Sequence, residues 1–158
     1  MKKVVTKSLE ETYAVAADFW QWLKKRYEHE DMLNPVLALY GDLGAGKTAF
    51  VQGLAKAIGI EETITSPTFV LMKRYPIEIG NLKLETGITQ LVHIDAYRFE
   101  RANELVSLRW EELLKEPRNL IALEWPERVA AALPPDTTIP LHFRFVDETT
   151  REITLPYD

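Results

Sequence analysis

The sequence contains no cysteine. Disulfides, thiolate metal sites and cysteine nucleophiles are therefore excluded, and a cytoplasmic setting fits. No apolar run approaches the roughly 18 residues that a membrane span requires, so no membrane partner is expected. Lys2 and Lys3 begin the chain with positive charge, but Glu10, Glu11 and Asp18 follow where a signal peptide would place its apolar core. A basic excess is also missing. Lysine and arginine total 19 against 24 aspartates and glutamates, a net charge of −5. A protein that gripped a phosphate backbone by itself would usually carry the opposite balance, so any nucleic acid is expected to be met weakly or through a partner. There is no repeat, low-complexity tract or linker. The remaining composition, 46% hydrophobic and 27% charged over 158 residues, suits one globular domain spanning 1–158.

One segment stands out against this plain background. Gly41-Asp42-Leu43-Gly44-Ala45-Gly46-Lys47-Thr48 has the spacing G-x-x-x-x-G-K-[ST] of a phosphate-binding P-loop. Glycines let the backbone bend tightly and approach an anion closely. Successive amides then face one concavity, and a helix starting near Lys47 adds the partial positive charge of its N-terminus. In such a loop Lys47 reaches the β- and γ-phosphates and the Thr48 hydroxyl binds Mg²⁺. The alternative is a glycine-rich turn at a strand–helix junction. The flanks favour the phosphate reading, since Pro35-Val36-Leu37-Ala38-Leu39-Tyr40 reads as a buried strand before the loop, and Thr48 to Ile58 as a helix after it, stopped at Gly59.

The rest of the chain alternates in the same manner. Lys3 to Thr6 is β-prone, and Ser8 with Glu11 forms a capping-box signal for a helix to about Tyr27, with Thr12, Ala16, Phe19 and Leu23 on its buried face. Thr68 to Tyr75 reads as a strand, and Ile77 to Thr89 as a hairpin or excursion of the sheet. Leu91 to Asp95 and Leu120 to Glu124 read as buried strands, Asn103 to Lys115 as a helix, and Pro126 to Leu133 as a short helix opened by proline. Ile139 to Val146 and Arg151 to Leu155 suggest a terminal hairpin. The order predicts an α/β protein of the P-loop NTPase-like kind: a three-layer sandwich with a mixed, largely parallel central sheet and a C-terminal antiparallel hairpin.

Two strands end in carboxylates, Asp95 and Glu124, which places both at the carboxyl edge where open α/β sheets bind ligands. Either alone could be a solvated strand end. Together they suit two roles: one ordering the metal shell, the other orienting or deprotonating an attacking water. His93 lies on the same strand face as Asp95, and a single histidine is more often packed than a ligand. Thr63-Ile64-Thr65-Ser66-Pro67-Thr68-Phe69 could close over a γ-phosphate as switch segments do, although its composition alone describes an ordinary loop.

Taken in order, the capped segment Ser8 to Thr12, Tyr40 to Thr48, Thr65-Ser66-Pro67-Thr68-Phe69, His93-Ile94-Asp95-Ala96-Tyr97-Arg98 and Glu124-Trp125-Pro126-Glu127 resemble the TsaE (YjeE) family of bacterial P-loop ATPases. The resemblance implies a role in making N6-threonylcarbamoyladenosine at position 37 of transfer RNAs (t6A37), by an ATPase that works with TsaD and TsaB, meets tRNA only through that complex, and does not itself transfer the threonylcarbamoyl group. It implies ATP and Mg²⁺ as cofactors. Asp42, Leu43, Gly44, Ala45, Gly46, Lys47, Thr48 and Ala49 would hold the nucleotide, with Thr65 and Ser66 in the switch-like loop and Ser8 and Thr12 near the base. Thr48 and Glu124 would serve the metal; Asp95 and Lys47 would be catalytic. Trp125 would pack beside the site. The segment Ile77 to Gln90 is longer than the family pattern leads one to expect. The rival reading is a small-molecule or nucleoside kinase built on the same loop. Such enzymes usually carry an arginine-rich lid, and Arg98, Arg101 and Arg109 match that only in part. A regulatory GTPase fits less well, since no Asn-Lys-x-Asp motif is present.

Overall fold

Every apolar run read as a buried strand forms one, and among the described residues seven strands join a single sheet. The computed structural model describes residues 1–29, 34–77, 87–116 and 118–158. The strands are β1 (Lys2–Thr6), β2 (Val36–Tyr40), β3 (Met72–Pro76), β4 (Gln90–Asp95), β5 (Asn119–Glu124), β6 (Thr138–Phe145) and β7 (Arg151–Leu155). Their spatial order is β1-β7-β6-β2-β5-β4-β3. The central four, β6, β2, β5 and β4, run parallel. β3 is antiparallel to β4, and β6 and β7 form the expected antiparallel hairpin, to which β1 adds on the far side. The sheet is thus mixed and mostly parallel, as the sequence predicts.

Side-chain alternation assigns each half of a strand to one of two cores. Helices α1 (Leu9–His29) and α2 (Lys47–Ile58) cover one face, burying Phe19, Leu23, Phe50 and Leu54 against Leu37, Leu39, Leu91, Leu120 and Leu141. The opposite face carries Val36, Val92, Ile94, Ile121 and Leu123. It is covered by α3 (Trp110–Lys115) and two 3-10 helices, Ala102–Leu108 and Pro126–Ala132, through Leu105, Trp110, Leu113 and Val129. This is the three-layer arrangement. Trp20 is buried in the first core and Trp22 packs at its edge, so the two neighbouring tryptophans of α1 divide as helical spacing requires.

Local chemistry departs from the sequence reading at three places. At the start of α1, Ser8 Oγ accepts the Glu11 amide at 3.1 Å, but the Glu11 carboxylate accepts from the Lys7 amide at 2.6 Å, so the capping box reaches one residue further back than its pattern. Thr68 to Leu71 is not strand: the Leu71 amide donates to the Pro67 carbonyl at 2.6 Å and Leu71 has φ of 68°, so the chain turns sharply and β3 starts only at Met72. The expected helix from Asn103 to Lys115 is broken at Arg109, whose φ of 57° separates a 3-10 segment from α3. The expected hairpin between Ile77 and Thr89 falls largely on 78–86, outside the described residues.

Candidate functional site

The P-loop joins the end of β2 to the start of α2 at the centre of the sheet. Gly41 has φ of 147°, and a Cβ there would strike the Phe143 backbone carbonyl of β6. Gly46 has φ of 99° at the N-cap of α2, the left-handed region that favours glycine. Gly46 offers no capping side chain, and the first helical bond runs from the Phe50 amide to the Gly46 carbonyl at 3.0 Å. The amides of Lys47, Thr48 and Ala49 therefore lie outside the helical ladder, at the positive end of the helix dipole. They border a cavity of about 260 Å³ walled by Leu43 to Ala49 on one side, and by Ser66, Thr68, Asp95, Tyr97, Glu124 and Trp125 on the other.

Strand register brings the carboxylates to this cavity. Glu124 is paired with Asp95 on one side and Leu39 on the other, so all three stand at one level of the sheet edge. Parity puts His93, Asp95 and Glu124 on the face that α2 covers, the face of Leu91, Leu120 and Ala122. Glu124, 4% exposed, accepts the Thr48 hydroxyl on Oε1 at 2.8 Å, and His93 Nε2 lies 2.9 Å from the same oxygen. His93 is fully buried and its Nδ1 has no partner among the described residues, so the ring meets the site through Nε2 alone. Asp95 accepts the Tyr97 amide on Oδ1 and the Thr68 hydroxyl on Oδ2, each at 2.8 Å.

The Lys47 ammonium donates to the carbonyls of Gly41 and, at 3.0 Å, Asp42, and it lies 4.3 Å from the centre of the Trp125 ring. Burial lowers its pKa, while Glu124, Glu127, Asp95 and Asp42 act in the opposite sense. Trp125 has φ of 59°, a strained value for a large side chain, and its ring also meets Tyr97 with centroids 5.0 Å apart.

Ser8 and Thr12 stand apart from the carboxylates. They border a second hollow of about 410 Å³ with Glu148 and Arg151, and it shares Gly46 and Ala49 with the first. Thr12 is buried and its hydroxyl is engaged by Thr6 Oγ1 at 2.9 Å and the Ser8 carbonyl at 3.2 Å. Thr65 does not line the phosphate cavity. Its hydroxyl accepts from Lys73 Nζ at 3.1 Å, while Ser66 and Thr68 are the residues of this loop that line the cavity. Asp42 is represented at the site by its carbonyl, which Lys47 takes.

Sequence reasoning passes over three residues here, two on the phosphate cavity and one on the adjoining hollow. Thr68 and Tyr97 lie inside two of the motifs, whose pattern assigns them no role. Arg151 carried no sequence signal. Its Nε donates to the Gly44 carbonyl at 2.9 Å, and its Nη1 donates to the carbonyls of Asp147 and Thr150 at 2.6 and 2.9 Å, which ties the β6–β7 turn to the P-loop.

A parallel-centred sheet with this loop on its middle strand, facing two strand-end carboxylates, defines an α/β protein of the P-loop NTPase fold. The family model for "Threonylcarbamoyl adenosine biosynthesis protein TsaE" matches residues 6–153. The chain belongs to the TsaE family. A tRNA threonylcarbamoyladenosine biosynthesis protein TsaE from Treponema pallidum is 38% identical over 120 residues, covering 76% of this chain and 80% of its own. The protein of that name from Aquifex aeolicus is 34% identical over 157 residues, covering 98% and 96%. The crystal structure of Bacillus subtilis YdiB aligns with a TM-score of 0.66 at 28% identity, over 98% of this chain and 83% of that one.

Proposed function

We propose that this protein is the ATPase of a tRNA t6A37-modifying assembly, binding and hydrolysing Mg-ATP in association with TsaD and TsaB without transferring the threonylcarbamoyl group itself. One observation carries the reading: Thr48 Oγ1 and Glu124 Oε1 meet at 2.8 Å at the head of the P-loop, with Asp95 beside Glu124 in register. A hydroxyl and a carboxylate are hard oxygen donors of the kind magnesium takes when phosphates and water complete its shell. Among the described residues no three His, Asp or Glu side chains form a cage that would hold a metal alone. That suits an ion that comes with its nucleotide. Thr48 and Glu124 would hold Mg²⁺, which supplies charge neutralisation at the β- and γ-phosphates. The amides of 44–49 and the Lys47 ammonium bind the phosphate oxygens. Asp95 orients the attacking water, while Tyr97 and Trp125 limit solvent at the cavity mouth.

The action in t6A synthesis follows from family membership; the partners TsaD and TsaB, and a cytoplasmic location beside tRNA, are inferred with it. The net charge of −5 is consistent with a protein that reaches tRNA through other proteins. Among the described residues no helix is long and apolar enough to cross a membrane. The test is ATP hydrolysis with and without TsaD–TsaB and tRNA. Slow turnover that rises when the partners are added is the expected result. Phosphate transfer to a nucleoside in the absence of any partner would replace this reading with a kinase.

A further inference from the structure

The turn from Pro67 to Leu71 meets the end of β4 at two points and the segment after it at a third. The Thr68 hydroxyl donates to Asp95 Oδ2 at 2.8 Å, the Leu71 carbonyl accepts the Asp95 amide at 3.0 Å, and the Phe69 ring lies 4.6 Å from the Arg98 guanidinium. Leu71 closes the turn at φ of 68°, a conformation a leucine adopts only when its surroundings enforce it. Threonine in a turn ordinarily bonds its own backbone. Thr68 instead reaches a carboxylate 27 residues away.

The bonding has a direction. A hydroxyl has one proton, and Thr68 commits it to Asp95, so the 2.8 Å contact between Ser66 Oγ and Thr68 Oγ1 must be a bond donated by Ser66. The chain runs Ser66 to Thr68 to Asp95 along the cavity wall, where all three line the same space. Asp95 Oδ1 is already fixed by the Tyr97 amide, so Thr68 supplies the second anchor and sets the plane of the carboxylate.

We propose that Thr68 is a positioning residue for ATP hydrolysis: the turn fixes its hydroxyl, and that hydroxyl holds Asp95 in the orientation that faces the phosphate cavity. The proposal rests on the ATPase reading above. It separates Thr68 from a residue that touches nucleotide or metal directly, because its effect passes through Asp95 and belongs to the chemical step.

The experiment compares Thr68→Val, which keeps the shape and removes the hydroxyl, with Thr68→Ser, which keeps the hydroxyl, each in the wild-type and Asp95→Asn backgrounds, with TsaD–TsaB present. Thr68→Val is expected to lower kcat roughly tenfold to a hundredfold, the scale of a misplaced catalytic group, with ATP affinity held. Thr68→Ser should recover most of the rate, and Thr68→Val should add nothing in the Asp95→Asn background. Equal loss of ATP affinity and rate, or additive effects of the two substitutions, would overturn the proposal. A crystal structure of Thr68→Val decides the point independently of turnover. Asp95 rotated from its wild-type orientation supports the proposal, and an unmoved carboxylate refutes it even where hydrolysis stands. Absence of hydrolysis by the wild-type protein with its partners would instead defeat the ATPase reading.

Discussion

The Lys47 ammonium is shared between two P-loop carbonyls and the face of Trp125, a ring 4.3 Å away. A phosphate in the cavity offers charge-assisted bonds about twice as strong as those to neutral carbonyls, so Nζ should leave the ring when nucleotide arrives. Addition of ATP is therefore expected to change the Trp125 fluorescence, and Trp125→Phe should remove that change. Lys47→Ala should remove it too, and weaken ATP binding roughly tenfold to a hundredfold, the range for losing a charged hydrogen bond. Unaltered ATP binding in Lys47→Ala would refute the phosphate site. The two carboxylates are separated by their partners: Glu124 Oε1 meets Thr48 and His93, whereas Asp95 meets Thr68 in the turn from Pro67 to Leu71. Glu124→Ala should cost Mg²⁺-dependent activity and weaken the response to Mg²⁺ concentration. Asp95→Ala should lower kcat by about a hundredfold or more, as loss of a general base does, with less effect on binding. The opposite split would exchange their roles. Both positions are legible in the sequence because each ends an apolar run, and parity alone puts His93 beside them. Arg151 is not legible, since its bond to Gly44 spans 107 residues and no local pattern marks it.

At the scale of elements, periodicity marks where strands and helices lie but not where a single residue reverses the chain. Leu71 and Arg109 both have positive φ, and neither is a residue type that announces a left-handed turn, so in the sequence the strand at Thr68 and the helix through Arg109 look continuous. Close approach is equally silent. Gly53 sits in the middle of α2, where glycine costs about 1 kcal/mol of helix propensity relative to alanine. The structure explains it: a Cβ there would lie 2.7 Å from Tyr13 Cα, 2.9 Å from Tyr13 Cδ1 and 3.0 Å from Ala16 Cβ of α1. A backbone Cα cannot swing aside as a side chain can. Gly53→Val should therefore destabilise the fold by about 1–3 kcal/mol, the overpacking range, measured by urea unfolding. Gly53→Ala should cost less, because the gain in propensity offsets part of the clash. A Gly53→Val protein as stable as wild type would mean that α1 and α2 do not meet this closely. Since α2 carries the P-loop at its first turn, the same variant should also bind ATP more weakly.

Over the whole molecule, the order of strands is what the sequence conceals most fully. β2 lies between β5 and β6, two strands that follow it by about half the chain, and nothing in their apolar runs specifies those neighbours. That order gathers the P-loop and the ends of β4 and β5 around one cavity and sets the β6–β7 turn on the adjoining hollow, with Arg151 tying that turn to Gly44. A ligand there contacts segments from residue 43 to residue 125 at once, so its binding energy should stabilise the entire sheet rather than one loop. Linkage gives the size: at a free concentration one hundred times Kd, a ligand that binds only the folded state adds about 2.7 kcal/mol. For a domain of this length each kcal/mol raises Tm by roughly 2–4 °C, so Mg-ATP should raise it by about 5–11 °C. Differential scanning calorimetry across an ATP titration tests this, with Lys47→Ala as the comparison in which the shift should collapse. Isotherms that show tight binding while Tm stays fixed would mean that the nucleotide engages a segment that melts on its own, and that the cavity does not unite the two halves of the sheet.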